Sequence, residues 1–327
     1  MKTKTYSPTP AHLRRLAAAL RQGELVAIPT ETVYGLAANA LDARACRAIF
    51  QAKGRPTRDP LIVHVLDLAQ AEQLAEFNPA ARRLARHFWP GPLTLVLPRK
   101  SCVPGIVTAG RPTVAIRAPA HPLARRLLRL AETPLAAPSA NLFGYISPTT
   151  AAHVTAGLGG RIPHVLDGGP CTIGVESTIV EMTHPQRPRI LRPGAIGIAA
   201  LEAFLRVKIA QGTPTRPTKK VTGLLAPGML PQHYSPHTSL SIKRAWKKLP
   251  AGVAGIHLRR PPGRATARAY WLSERGTLTE VARNLYRVLR LADLGGHRQI
   301  WIESLPAESG ELAAAIRDRL RRAAAKH

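Results

Sequence analysis

The sequence is poor in cysteine and acidic residues and has no long apolar run, and each of these features argues against a class of protein. It contains three cysteines, Cys46, Cys102 and Cys171, which are far apart and lack metal-ligand spacing. A disulfide framework or a zinc site is therefore not expected. No apolar run approaches the ~18 residues of a membrane span, and the N-terminal residues lack the apolar core of a signal peptide. We expect a cytoplasmic protein that makes no contact with membranes.

Acidic residues are also scarce. The chain has 19 acidic and 47 basic residues, a formal net charge of +28. Two explanations compete: binding to a polyanion such as nucleic acid, or a compositional bias, since 36 of the cations are arginine. The excess is densest after residue 238, where 18 basic and 7 acidic residues occur. The C-terminal part is therefore the more cationic one.

The pattern of apolar residues predicts an α/β protein, because strands and helices alternate along the first 208 residues. Helices are predicted at 10–22, 42–52, 79–88, 122–131, 149–157 and 198–207. Strands are predicted at 25–29, 61–65, 93–97, 113–117, 135–138, 175–180 and 190–192. Residues 209–238 are rich in Pro, Thr and Gly and predict a linker. A small second domain follows at 239–327, with strands at 253–258, 267–272 and 299–303 and helices at 278–292 and 309–325.

A basic loop lies between the second helix and the next buried strand. Lys53, Arg55 and Arg58 fall within six residues, and Gly54 and Pro56 interrupt regular structure there. Loops of this kind bind phosphate, because Lys and Arg supply charge and donors. A solvated surface loop is the alternative.

Polar side chains fall repeatedly at the ends of predicted strands. In an α/β sheet, ligands bind in the mouth that strand ends form. Core packing can explain any one of these residues, but it explains the whole set less well. The set comprises Thr32, His64, Arg117, Ser139, Ser177 and Arg192.

Six motifs occur in order along the chain: PTETVYGL (29–36), KGRP (53–56), PLIVH (60–64), WPGPLT (89–94), PSAN (138–141) and LRPG (191–194). Together they resemble the motifs of the L-threonylcarbamoyladenylate synthases of the YrdC-like superfamily. The linker and second domain resemble the longer, two-domain form of the enzyme. The resemblance implies a twisted mixed sheet flanked by helices (1–208), a linker that packs over the active site (209–238) and a small Rossmann-like α/β C-terminal domain (239–327).

The resemblance also implies a reaction. L-threonine, hydrogencarbonate and ATP, with Mg²⁺, would give threonylcarbamoyl-AMP and pyrophosphate. A separate transferase complex would move the threonylcarbamoyl group to adenosine at tRNA position 37. The cations fit this chemistry, because the carboxylated threonine and the triphosphate are both anionic.

Roles for individual residues follow from the same resemblance. Lys53 and Arg55 would be catalytic, and no side chain is assigned to metal. The nucleotide would be bound by Arg55, Asp59, Thr113, Ser139, Asn141, Ser147, Arg192 and Tyr234. L-threonine would be bound by Thr32, His64, Arg117, Ala137 and Ser177.

The sequence departs from the family at three points. Asp59 stands where asparagine is usual, and its carboxylate would repel phosphates unless it faces the metal or pairs with Arg58. Phe143 stands where a small hydroxyl residue is common, and the C-terminal domain is somewhat short. These departures concern the detailed geometry of the site.

Three alternatives stay open. The protein could mainly bind tRNA or double-stranded RNA, as its charge would permit. It could be a carbamoyltransferase of the same superfamily, although those enzymes are usually fused to further modules that this sequence lacks. The C-terminal domain could sense nucleotides, although it has no G-x-G-x-x-G motif.

Overall fold

The computed structural model describes residues 1–211, 223–229, 233–262, 266–306 and 310–325. Parts of the predicted linker, 212–222 and 230–232, lie outside this range. None of the described helices is long and apolar enough to cross a bilayer.

The first part of the chain forms a mixed sheet of eleven strands with helices between them, which confirms the predicted α/β class and the mixed sheet that the family resemblance implies. Its order is β1-β8-β2-β3-β7-β4-β6-β5-β9-β10-β11. The strands are β1 (Lys4–Tyr6), β2 (Val26–Ile28), β3 (Gly35–Asn39), β4 (Ile62–His64), β5 (Leu93–Pro98), β6 (Thr113–Arg117), β7 (Leu135–Ala136), β8 (His164–Leu166), β9 (Thr178–Glu181), β10 (Arg189–Arg192) and β11 (Ala210–Gln211).

Seven helices accompany this sheet, and most begin at a side-chain cap. Asp42 and Thr150, for example, accept hydrogen bonds from the first turns that follow them. Two apolar clusters make up most of the core, one containing Ile49 and Val63 and the other Leu16 and Leu127. The helices are α1 (Pro10–Arg21), α2 (Ala43–Lys53), α3 (Leu68–Glu72), α4 (Pro79–Phe88), α5 (Pro122–Ala131), α6 (Ala151–Leu158) and α7 (Ile198–Leu205).

The second part of the chain is a smaller parallel sheet with two helices. Its strands, in the order β12-β15-β13-β14, are β12 (Ser239–Lys243), β13 (Val253–Arg259), β14 (Ala269–Ser273) and β15 (Gln299–Glu303). The helices are α8 (Leu278–Leu294) and α9 (Glu311–Ala324). They pack on the apolar face of the sheet, where Ile256 and Ile302 meet Leu285 and Ile316.

The same two helices carry the contacts with the first part of the chain. The Tyr145 hydroxyl donates a hydrogen bond to Asp293 at 2.8 Å. Arg290 is buried, donates to the carbonyl oxygen of Ile146 and lies 4.8 Å from the centre of the Tyr145 ring. The helices therefore lie between the small sheet and the first domain.

Candidate active site

Strand directions bring four of the predicted polar residues to one edge of the large sheet. β4 and β6 are parallel, and His64 and Arg117 are register partners at their carboxyl ends. β9 runs opposite to β6, so its amino end lies at this edge, and β10 returns antiparallel to end there at Arg192. The predicted strand at 175–180 is corrected by the structure: β9 begins at Thr178, and Ser177 precedes it.

A cavity opens at this edge. Nine residues with predicted roles line it: Thr32, Arg55, His64, Arg117, Ala137, Ser139, Ser177, Arg192 and Tyr234. Further lining residues, to which the sequence analysis gave no role, are Thr30, Val33, Gly35, Ile62, Pro138, Glu176, Pro227, Gly228 and His233. The cavity therefore combines one edge of the sheet with the linker.

Arg117 is held rigidly at the end of β6. Its guanidinium donates to Thr32 Oγ1 at 2.9 Å and to the Gly91 carbonyl oxygen at 3.1 Å. It also forms a buried ion pair with Glu31 at 2.5 Å. Burial raises the pKa of Glu31, but Arg117 more than offsets this and holds that pKa below its ordinary value. Glu31 is thus a buried partner of Arg117, and each of the three guanidinium nitrogens of Arg117 has a partner within the protein.

His64 presents a neutral imidazole to the cavity. Burial, helped by the nearby Arg117, lowers its pKa to about 3, so the ring carries no charge at neutral pH. Its Nδ1 atom is buried and has no hydrogen-bond partner within the described ranges. A buried polar atom without a partner is costly, and this one is therefore available to a ligand.

Two arginines supply positive charge to the cavity. Arg55 donates to the Pro60 carbonyl oxygen at 2.6 Å and forms a buried ion pair with Asp59 at 3.0 Å. Asp59 therefore pairs with Arg55, whereas the sequence analysis considered the metal ion or Arg58 as its partner. Arg192 donates to Ser177 Oγ at 3.1 Å and to the linker carbonyl of Pro227 at 3.4 Å.

The remaining predicted residues do not line the cavity. The buried Lys53 amine donates to the carbonyl oxygens of Ser139 and Asn141, each at 2.5 Å, and so holds the PSAN loop in place. The Asn141 amide donates to two carbonyls of the next turn. Ser147 donates to Glu176 at 2.6 Å. Thr113 begins β6, about 13 Å along the strand from Arg117.

The linker places Tyr234 in the wall of the cavity. The side chain is 1% exposed, and its backbone adopts the left-handed region with φ 63°, which costs a residue with a side chain about 1–2 kcal/mol. A Cβ atom on Gly228 would lie 2.6 Å from the Tyr234 hydroxyl, so only glycine fits there. The His233 ring packs against Tyr234 and, edge-on, against Phe143. The unusual Phe143 therefore supports the linker.

Glu176 joins the cavity wall to the C-terminal domain. Its carboxylate accepts hydrogen bonds from Tyr286 at 2.8 Å and from Arg319 at 2.7 Å, besides that from Ser147. Burial raises the pKa of Glu176, but Arg319 and Arg192 together with these donors hold it below its ordinary value. The Arg319 guanidinium lies 5.2 Å from the centre of the Tyr234 ring. Tyr286 and Arg319 of the C-terminal domain therefore hold Glu176, a residue of the cavity wall, in place.

Comparisons with known proteins agree with this architecture. A family model for Sua5, YciO and YrdC proteins, described as telomere recombination, matches residues 18–194. A second model, described as the C-terminal domain of threonylcarbamoyl-AMP synthase, matches residues 196–325. The chain belongs to the threonylcarbamoyl-AMP synthase family.

Individual members of the threonylcarbamoyl-AMP synthase family support the assignment over nearly the whole chain. The threonylcarbamoyl-AMP synthase of Pyrococcus abyssi is 41% identical over 95% of this chain and 93% of its own length. That of Bacillus subtilis is 46% identical over 74% of this chain and 72% of its own. A crystal structure of P. abyssi Sua5 complexed with L-threonine aligns with a TM-score of 0.86 at 38% identity, covering 98% of both chains.

Proposed function

We propose that this protein is a nucleotidyltransferase that makes threonylcarbamoyl-AMP and pyrophosphate from L-threonine, hydrogencarbonate and ATP. The observation that carries the proposal is the pairing of two subsites in one cavity. Thr32, His64 and Arg117 offer polar groups to an amino acid, and Arg55 and Arg192 offer charge to phosphates. The family to which the chain belongs includes a member crystallised with L-threonine.

The proposed reaction needs charge neutralisation more than a covalent nucleophile. The neutral amino group of threonine forms a bond to the carbon of hydrogencarbonate, a C–O bond breaks and water leaves, and a carbamate anion results. One carbamate oxygen then forms a bond to the α-phosphorus of ATP as the bond to the bridging oxygen breaks, and pyrophosphate leaves. Arg55 and Arg192 would stabilise the charge that develops on the phosphate oxygens. Arg117 would hold the threonine carboxylate in place.

Magnesium would enter this reaction bound to ATP, as part of the substrate. Within the described part of the chain, no group of three or more His, Cys, Asp or Glu side chains could hold a metal ion. Asp59 is already paired with Arg55. We therefore assign the ion's ligands to the phosphates of the nucleotide, and the protein's cations to the remaining phosphate oxygens.

We also propose the division of the chain into a catalytic domain (1–208), a linker over the active site (209–238) and a C-terminal domain (239–327). The product would serve a separate transferase complex that modifies adenosine at tRNA position 37 in the cytoplasm. A mixed anhydride such as this is readily hydrolysed, so a consuming step must follow its release closely.

Tyr234→Ala is expected to raise the KM for ATP roughly tenfold, because the buried ring is removed from the wall of the cavity. The first domain should stay folded, since Tyr234 lies outside its two main apolar clusters. Steady-state kinetics with varied ATP test this, and Tyr234→Phe separates the contribution of the ring from that of the hydroxyl. An unchanged KM for ATP in the alanine variant would mean that the linker only connects the two domains.

The identity of the product tests the proposal directly. The protein is incubated with MgATP, L-threonine and ¹³C-labelled hydrogencarbonate, and the quenched mixture is analysed by mass spectrometry. The proposal expects an AMP conjugate that contains threonine and one labelled carbon. A conjugate that carries the labelled carbon but lacks threonine, or no conjugate at all, would contradict the proposal.

A further inference from the structure

The small parallel sheet has one face that helices do not cover. In the described part of the chain, α8 and α9 both pack on its other face, and the same helices contact the first domain through Tyr286 and Arg319. The uncovered face therefore points away from the catalytic cavity. Parallel sheets are nearly always covered on both faces, so this open face calls for an explanation.

Three of the four tryptophans of the chain lie on this face. In the sheet register, Trp301 is the partner of Ser241 and Gly255, so all three share one face. His257 is likewise the partner of Trp271 one row further along. Because side chains alternate along a strand, these rows lie on the same face. Ser241 carries only a small side chain, and Gly255 leaves room for a ring from a neighbouring loop.

The fourth ring comes from the loop that follows β12. Trp246 lies over Gly255, where a Cβ atom would come within 2.9 Å of the indole ring. Its ring centre is 4.7 Å from that of His257 and 6.2 Å from that of Trp301. We call the surface formed by Trp246, His257, Trp271 and Trp301 the aromatic face; all four side chains are partly exposed.

Positive charges are interleaved with these rings. Lys243 Nζ lies 5.1 Å from the centre of the Trp301 ring, and the Arg260 guanidinium lies 5.2 Å from that of Trp271. Lys247 and Lys248 follow Trp246 directly and are exposed.

The two nearby carboxylates already have partners. Glu303 accepts a hydrogen bond from the Leu258 amide. Glu274 accepts one from the Trp271 indole and pairs with Arg260. Because Glu274 offsets Arg260, the remaining positive charge at the aromatic face comes from the exposed Lys243, Lys247 and Lys248, which outnumber the carboxylate of Glu303.

We infer that the aromatic face binds unpaired nucleotides of single-stranded RNA, with bases stacked on the rings and phosphates beside Lys243, Lys247 and Lys248. Stacking on aromatic side chains between cations is how proteins hold unpaired bases. A second copy of this chain is a poor occupant, because each copy carries a net charge of +28. The choice of RNA over DNA rests on the proposed function; the stacking arrangement does not.

Binding is measured with the full-length protein and a fluorescein-labelled 12-nucleotide RNA of adenylate and uridylate, at 50 and 200 mM salt. The inference expects binding that quenches tryptophan fluorescence and weakens as salt rises. Trp271→Ala and Trp301→Ala are each expected to weaken binding by about 5- to 100-fold, and Trp271→Phe should retain most of the affinity. A DNA strand of matching sequence is run alongside to measure the preference for RNA.

Two charge variants distinguish a cation at the aromatic face from the overall positive charge of the protein. Lys243→Gln should weaken RNA binding and reduce the salt slope by about one, whereas Lys2→Gln, at an exposed lysine of the first domain, should change neither. Threonine-dependent pyrophosphate release should be unaffected by Trp271→Ala, because α8 and α9 separate the aromatic face from the cavity. If the wild-type protein showed no threonine-dependent pyrophosphate release, the proposed function would be overturned, but the inference about the aromatic face would not.

Four results would overturn the inference. They are wild-type affinity in both tryptophan-to-alanine variants, equally tight binding of a 12-base-pair duplex, displacement of the RNA by an equal concentration of a 12-residue polyglutamate, or dimerisation that Trp301→Ala abolishes. The third result would assign the face to an acidic protein segment, and the fourth to a second copy. Circular dichroism spectra and melting temperatures confirm that each variant is folded.

Discussion

Arg319→Leu is expected to destabilise the protein by about 3–5 kcal/mol, because it leaves the buried Glu176 carboxylate without its cation. It should also raise the KM for ATP by about tenfold, since Arg319 lies over the ring of Tyr234. Urea unfolding and steady-state kinetics measure the two effects. A loss of stability together with a raised KM for ATP would show that the C-terminal domain contributes to the catalytic cavity.

The neighbouring Arg321 provides a matched control. It is on the same helix, but its side chain is 75% exposed and pairs with Asp318 at 3.1 Å, so Arg321→Leu should cost less than about 1 kcal/mol. Combining Arg319→Leu with Glu176→Gln removes the unpaired charge and should restore part of the lost stability. A double variant no more stable than Arg319→Leu alone would contradict the buried-charge explanation.

Removing the Arg55 guanidinium is expected to reduce threonine-dependent pyrophosphate release by about 10³-fold, the scale seen when a cation that stabilises a phosphoryl-transfer transition state is lost. Arg55→Ala alone would leave Asp59 buried without its partner and would confuse catalysis with folding. The informative variant is therefore Arg55→Gln combined with Asp59→Asn.

The reference for this experiment is Asp59→Asn alone, so that the two proteins differ only at residue 55. Melting temperatures within a few degrees of each other would show that folding is not the cause of any difference in rate. If the two proteins released pyrophosphate at similar rates, Arg55 would not have the catalytic role assigned to it.

Much of the fold could be predicted because its elements follow local rules. The helix at Pro122–Ala131 and the strand at Gln299–Glu303 lie where the apolar spacing predicts them. Strand β3 (Gly35–Asn39) was missed, since its small residues resemble a loop and it is stabilised by pairing with β2 and β7. Pairing between distant strands is a tertiary effect that local propensity does not contain.

The cavity was predictable in part for a similar reason. His64 and Arg117 follow apolar runs, and register pairing of two parallel strands brings them together. The family resemblance supplied Ala137 and Tyr234, which no pattern of charge or apolar spacing would have indicated.

The support of the cavity was not predictable from the sequence. Glu176 is a carboxylate inside an apolar segment, which is unusual enough to be noticed in the sequence. Its partners Tyr286 and Arg319, however, lie 110 and 143 residues away along the chain. Arginines on a predicted amphipathic helix normally face solvent, whereas Arg290 is buried against the first domain. Such contacts depend on how the two domains pack, which the pattern within each domain does not specify.

The central claim is that this cavity joins L-threonine to the adenylyl group of ATP. The most direct measurement is pyrophosphate release from MgATP in hydrogencarbonate buffer, with L-threonine, with L-alanine and with no amino acid. The account predicts release that requires L-threonine and that L-alanine does not support at a comparable rate. Equal release without L-threonine, or no release under any of these conditions, would contradict it.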